Sequence, residues 1–297
     1  RSSDLQGWKD SFDAIFHADG TLAEGNIALA EVQGYVFAGK QLAARAARTL
    51  GFADKALKLE AEAERLRARF EEAFWCEELG TYAVALDGAK QPCRVRTSNA
   101  GQTLFSGMVR QDRARRVAAD LMSQKFFSGW GIRTVAVGEA RYNPMSYHDG
   151  SIWPHDNALI ALGLARYGLK RSVAHLFKGL FDAASYMELR RLPELFCGFV
   201  RETGEPPIAY PVACLPQAWA AGSVFLMLQA TLGLSIDAWT ETVDLADPVL
   251  PAGLDRLKIT GLEVGGAVVD LNIQHADGRA VVIPHHKRGK VSIRTLR

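Results

Sequence analysis

Ala56, Leu59, Ala63, Leu66, Phe70 and Ala73 recur at steps of three and four, while Glu60, Glu62, Glu64, Arg67 and Arg69 fall largely on the other side. That spacing predicts an amphipathic helix packed along one face. Residues 27–50 carry a similar pattern closed by Gly51, so the two segments predict a helical hairpin. Further helices are predicted over about 98–107, 111–123, 156–168, 170–187 and 216–232. Between them run long stretches rich in aromatic and polar residues, notably 124–155 and 188–215. Loops of that length inside a compact domain usually carry function.

The pattern changes after ADPVLPAG. Val269, Leu271 and Ile273 alternate with Asp270, Asn272 and Gln274, and HADG supplies a turn before AVVI, which predicts paired strands. The expected division is a mainly α body over residues 1–240 and a small β appendage over 241–297. Helical hairpins whose connecting loops carry Trp, Tyr, His, Asp and Glu fit an (α/α)6 toroid, in which loops at one end of the ring frame a central pocket. A complete six-hairpin ring needs more helices than the seven or so counted here, so the ring is expected to be incomplete on the N-terminal side.

Composition narrows the function classes. The chain has 297 residues, 48% hydrophobic and 23% charged, enough for a substantial core. A net charge of +2 makes no electrostatic case for nucleic acid. No apolar run reaches the ~18 residues that would span a bilayer. Cys76, Cys93, Cys197 and Cys214 are scattered without CxxC spacing, which suits reduced thiols and a cytoplasmic location. The chain starts abruptly at RSSDLQGW with neither an initiator Met nor a signal-peptide pattern, so it is expected to be part of a longer protein.

The densest chemistry is SYHDGSIWPHDN, residues 146–157. A metal site would need three or four converging ligands, but Gly150 and Pro154 prevent a single helix from fixing His148 against His155. No metal or cofactor is expected. Asp156 or Asn157 is expected to cap the helix that follows. Sugar chemistry asks instead for two carboxyl groups flanking a glycosidic bond, aromatic faces for the ring, and forked hydrogen-bonding groups for the hydroxyls. Glu194, in the apolar stretch RRLPELFCGF, is one candidate carboxylate; burial would shift its pKa unless Arg190 or Arg191 neutralised it. Asp10, directly after Trp8 and Lys9, is the other, with Asp4 and Asp13 competing.

Six motifs, QGWKDSFD, IALAEVQGYVFAG, TSNAGQ, YHDGSIWPHDN, LPELFCG and CLPQAWAAG, occur in an order that resembles the bacterial amylo-α-1,6-glucosidase (glycogen-debranching) family of α/α-toroid glycosidases. The resemblance spans about residues 5–235. It implies an inverting glycoside hydrolase acting on an α-glucosidic bond, with the α-1,6 linkage of an α-glucan as a candidate. A hydrolase of another small α-glycoside, such as an α-mannoside, and a non-catalytic carbohydrate-binding relative are the alternatives. The W-x-D motif corresponds to Trp8-Lys9-Asp10 and makes Asp10 the general acid; P-E-L corresponds to Pro193-Glu194-Leu195 and makes Glu194 the general base. Lys9 stands where relatives often carry a hydrophobic residue, so it either points away from Asp10 or opposes its role as proton donor. Trp8, Tyr35 and Trp153 are the candidate stacking surfaces. Gln33, Asn99, His148, Asp156 and Gln217 are the candidate hydroxyl binders, and Tyr210 is expected to support its loop.

Overall fold

The computed structural model describes residues 7–251, 253–276 and 279–296. Asp4 and the Asp277-Gly278 tip of the HADG turn lie outside the described residues. Among the described residues, seven α-helices form the larger part: α1 Ala30–Thr49, α2 Ala53–Ala73, α3 Asn99–Ser106, α4 Gln111–Leu121, α5 Pro154–Arg166, α6 Lys170–Tyr186 and α7 Ala218–Leu232. They match the seven segments of helical period. On α2 the stripe predicted to face inward is buried at Ala56, Ala63 and Phe70 and half-buried at Leu59 and Leu66, while Ala73 at its end is exposed. The α1–α2 hairpin closes at Gly51, where the N–H groups of Gly51 and Phe52 donate to the carbonyls of Arg48 and Ala47.

The helices pack in an ordered series. The odd-numbered ones touch in sequence, α1 on α3, α3 on α5 and α5 on α7, while α2, α4 and α6 each pack on the odd helix before them. Phe70, Leu104, Val117, Ile160 and Leu176, from five different helices, share one apolar core. This arrangement brings the N-terminal ends of α1, α3, α5 and α7 to one region, where the long loops lie.

Those loops are tied by backbone pairing that no periodicity announces. The strands β1 Ala28–Leu29, β4 Ala85–Leu86 and β5 Pro92–Cys93 form a small antiparallel sheet, and β2 Trp75–Cys76 pairs with β3 Thr81–Tyr82. Single antiparallel bridges then link Thr97 to Val135, Arg133 to Ile152, Ile152 to Phe196 and Phe196 to Ala209. Arg133 is fully buried beneath this ladder and donates to the carbonyls of Gly198 and Phe126, so a cation holds the loops by capturing their backbone acceptors.

At α5 the expected side-chain cap does not form. Trp153 occupies the cap position and Pro154 the first helical position, which puts Asp156 and Asn157 inside the first turn. The Asn157 amide instead accepts from the Ile132 N–H at 2.7 Å and donates to the carbonyls of Ile132 and Trp153.

A second unit follows α7. Strands β6 Leu234–Asp237, β7 Thr242–Ala246 and β11 Ser292–Leu296 form one sheet; β8 Arg256–Val264, β9 Ala267–Ala276 and β10 Arg279–Arg288 form another. Val269, Leu271 and Ile273 are fully buried, as their alternation predicts, in a core that also holds Val243, Leu245 and Leu250. The unit begins at β6, ahead of the expected division after residue 240, because β6 pairs with β7 along its whole length. A four-residue strand with no fully buried position is too short to be read against the end of a helix.

Candidate active site

Trp8, Lys9 and Asp10 run across the N-terminal ends of the odd helices, and successive side chains diverge. Lys9 points inward. Only 4% exposed, its ammonium donates to the Thr134 carbonyl at 3.0 Å, with the carboxylates of Asp149, Asp156 and Glu31 close enough to attract it. Burial lowers its pKa and the three carboxylates oppose that shift. Trp8 packs edge-on against His148, Trp153 and His155 at ring separations of 5.6, 5.6 and 4.9 Å. Asp10 points outward, its side chain 68% exposed and its Oδ1 3.7 Å from His148 Nε2.

SYHDGSIWPHDN forms the wall between Asp10 and Glu194. Gly150 has φ +152°, and a Cβ there would lie 2.4 Å from the Asn143 carbonyl oxygen; only glycine allows the HDG turn. Gly198, in the loop carrying Glu194, comes so near that its Cβ would sit 1.8 Å from the Gly150 oxygen. Ser11 Oγ lies 2.6 Å from His148 Nδ1, and Tyr147 donates its hydroxyl to Glu194 Oε1 at 2.8 Å. The Tyr147 and His148 rings are 4.5 Å apart, so these neighbours bridge the surroundings of the two candidate carboxyls.

Glu194 is buried, and its Oε2 accepts the Cys214 backbone N–H at 3.0 Å. Burial pushes its pKa up, but the Cys214 N–H, the Tyr147 hydroxyl and the Gln217 amide together outweigh it and hold the carboxyl below the usual range. Glu194 is therefore ionised at neutral pH and, among the described residues, has no ion pair with Arg190 or Arg191. His148 and His155 are both neutral there, depressed to about 3 and about 4 by burial, with Lys9 adding to the effect at His148. Asp149 is pushed up to about 6 by burial.

The remaining sequence candidates gather here with altered roles. Trp153 is 1% exposed, its face is taken by the His148 ring 5.0 Å away, and its indole N–H donates to the Tyr147 carbonyl. It is thus a platform inside the wall rather than an open stacking surface. Trp219, 39% exposed and stacked on His155 at 3.9 Å, presents the aromatic face instead. Tyr35 donates to Gln102, which donates to Asp156 Oδ1, so the phenol supports Asp156. Gln217 caps α7 by accepting the Ala218 N–H at 2.8 Å and also lies beside Glu194. Gln33 donates to the Leu29 carbonyl, and Asn99 is fully buried in the first turn of α3. Tyr210 packs on Tyr147, their ring centroids 5.5 Å apart. Sequence reasoning passed over Tyr147, Thr134 and Glu31. Tyr147 could have been noticed from its place directly before His148; nothing in the sequence places Thr134 or Glu31 here.

Among the described residues no group of three His, Cys, Asp or Glu is arranged to hold a metal ion, and no helix is long and apolar enough to cross a membrane. All four cysteines are unpaired.

The fold is that of a glycoside hydrolase domain. Residues 9–197 match the family described as the mannosylglycerate hydrolase MGH1-like glycoside hydrolase domain; this is more than half of the chain, and the chain belongs to that family. The match supports the six-hairpin glycosidase superfamily without singling out its amylo-α-1,6-glucosidase branch. Among solved structures, the chain resembles a protein titled "Sialidase", with TM-score 0.69 and 13% identity over 95% of this chain and 27% of that one. It also resembles the GH63 mannosylglycerate hydrolase of Thermus thermophilus solved with glucose, with TM-score 0.52 and 21% identity over 68% of this chain and 47% of that one. Neutral trehalase Nth1 of Saccharomyces cerevisiae gives TM-score 0.54 and 13% identity over 69% of this chain and 38% of that one. At these identities the likeness concerns the fold alone. The chain spans between about a quarter and a half of the length of these structures. No curated protein sequence matches it.

Proposed function

We propose that the chain carries the catalytic site of an inverting glycoside hydrolase, built on part of an α/α toroid. Glu194 is the general base and Asp10 the general acid. The ionised, hydrogen-bonded Glu194 carboxylate carries this reading, because a base must be unprotonated and aimed while still buried enough to exclude bulk water. In the reaction Glu194 takes a proton from a water molecule as the water oxygen bonds to the anomeric carbon. The bond from that carbon to the leaving oxygen breaks, and Asp10 gives the leaving oxygen its proton. Inversion follows if the carboxyl groups stand ~6.5–9.5 Å apart, leaving room for the water. The inward turn of Lys9 supports Asp10 in this role: the ammonium engages Thr134 and does not pair with the acid.

Two substrate readings follow from the sequence, an α-1,6-linked glucan and a small α-glycoside. The MGH1-like family match favours a small α-glycoside, such as an α-mannoside. Glu194→Gln and Asp10→Asn test the assignment in the full-length polypeptide. Each is expected to lower kcat roughly 10²–10⁴-fold while sugar binding persists. Turnover of natural glycosides close to wild type in either variant would refute its assigned role.

A further inference from the structure

We propose that Lys9 and Ser11 are positioning residues for the acid: their side chains pin the segment on either side of Asp10 and so set where its carboxyl meets the leaving oxygen. The inference rests on the glycoside hydrolase reading and adds to it what holds the acid in place. Asp10 itself is exposed, and its Oδ1 stands 3.7 Å from His148 Nε2, longer than a hydrogen bond. A single methylene separates an aspartate carboxyl from its backbone. The reach of the acid is therefore decided mainly by where residues 9–11 lie, and reacting groups must be held closely to act.

The first pin is Lys9. Its ammonium donates to the Thr134 carbonyl, which also accepts the Ser98 N–H at 3.0 Å, while Thr134 Oγ1 accepts the Gly150 N–H at 2.8 Å. Thr134 thus joins the segment carrying the acid to the start of α3 and to the HDG turn. A methionine would fill similar space without burying a charge, so packing alone does not explain the lysine. Its ammonium also answers the carboxylates of Asp149, Asp156 and Glu31.

The second pin is Ser11, whose Oγ lies 2.6 Å from His148 Nδ1. His148 is buried and stacks on Trp153, so this pin is fixed in the wall of the site. The route continues from the His148 ring to Tyr147, and through the Tyr147 hydroxyl to Glu194. Ser11 therefore couples the position of the acid to that of the base. A shift of about 1 Å in a reacting group can cost roughly 100-fold in rate.

The test uses the full-length polypeptide and reads kcat/KM on two α-glycosides of the same sugar, D-mannose or D-glucose. One carries 2,4-dinitrophenyl, which departs as a stable anion; the other carries phenyl, which needs a proton from the acid. Asp10→Asn supplies the pattern of a lost acid, a far larger loss on the phenyl glycoside. Ser11→Ala is expected to lose roughly 100-fold on the phenyl glycoside and less than roughly 5-fold on the dinitrophenyl one. Lys9→Met should show the same selectivity. It leaves three buried carboxylates without their cation, so Ser11→Ala decides if Lys9→Met does not fold. Equal losses on both glycosides in Ser11→Ala, or none, would mean that the contact only supports the fold, and would overturn the inference. Wild type that cleaves neither glycoside defeats the hydrolase reading, and Asp10→Asn without selectivity defeats the acid assignment. The inference falls with either, and those two proteins tell such failures apart from a failure of the pins.

Discussion

Lys9 and Asp10 are adjacent in sequence, yet one is buried among carboxylates and the other is turned to solvent. Residue-scale predictions follow from the environments of their neighbours. Tyr147→Phe removes one of the hydrogen bonds that hold Glu194 ionised. The acidic limb of the kcat/KM profile should then move up by roughly half to one pH unit, since one such bond is worth about a unit of pKa. A limb unmoved within a pH range where circular dichroism shows the protein folded would remove Tyr147 from the account. His148 makes a different prediction. The unfolded chain takes up a proton near pH 6.5, while the folded one resists until about 3 because burial, Lys9 and His155 disfavour the imidazolium. Between those values the unfolded state binds more protons, so this residue lowers stability as pH falls. Asp149, pushed up to about 6, contributes with the opposite sign in both proteins and leaves the comparison intact. Urea unfolding of His148→Gln should therefore gain on wild type from pH 6.5 toward pH 4, by at most about 1.4 kcal/mol per pH unit. A constant difference across that range would contradict a neutral, buried His148.

At the scale of elements, the site depends on loops pinned by close backbone approach. Gly198→Ala would drive a methyl into the Gly150 carbonyl, and a loss of roughly 2–3 kcal/mol is expected by chemical denaturation, with activity impaired in the protein that still folds. Wild-type stability in that variant would show that the two loops are not locked together. The longer helices were legible because they carry several turns of repeating apolar positions, as on α2. The ladder from Thr97 through Ile152 to Ala209 was not, because a single bridge has no period and its partners lie far apart in the chain. The same limit explains the site. Glu194 and Asp10 stood out by residue type and motif, but whether Trp153 or Trp219 presents an open face depends on which of them His148 covers, and that is decided by tertiary packing.

For the whole molecule, the helical body and the β unit have separate apolar cores. Leu271 is fully buried in the second, and Leu271→Ala should cost about 2–5 kcal/mol of that unit's stability by thermal or urea unfolding. With a small glycoside as substrate, kcat/KM should be unchanged below the transition. A parallel loss of activity would mean that the β unit helps to shape the site. We propose that an ordered row of helix ends positions two carboxyls that cleave a glycosidic bond with inversion. The most direct test of this claim is proton NMR of the sugar at early times after the full-length polypeptide is mixed with an α-glycoside it cleaves. The β-anomer should appear first and mutarotate afterwards. First appearance of the α-anomer would contradict the roles assigned to Glu194 and Asp10.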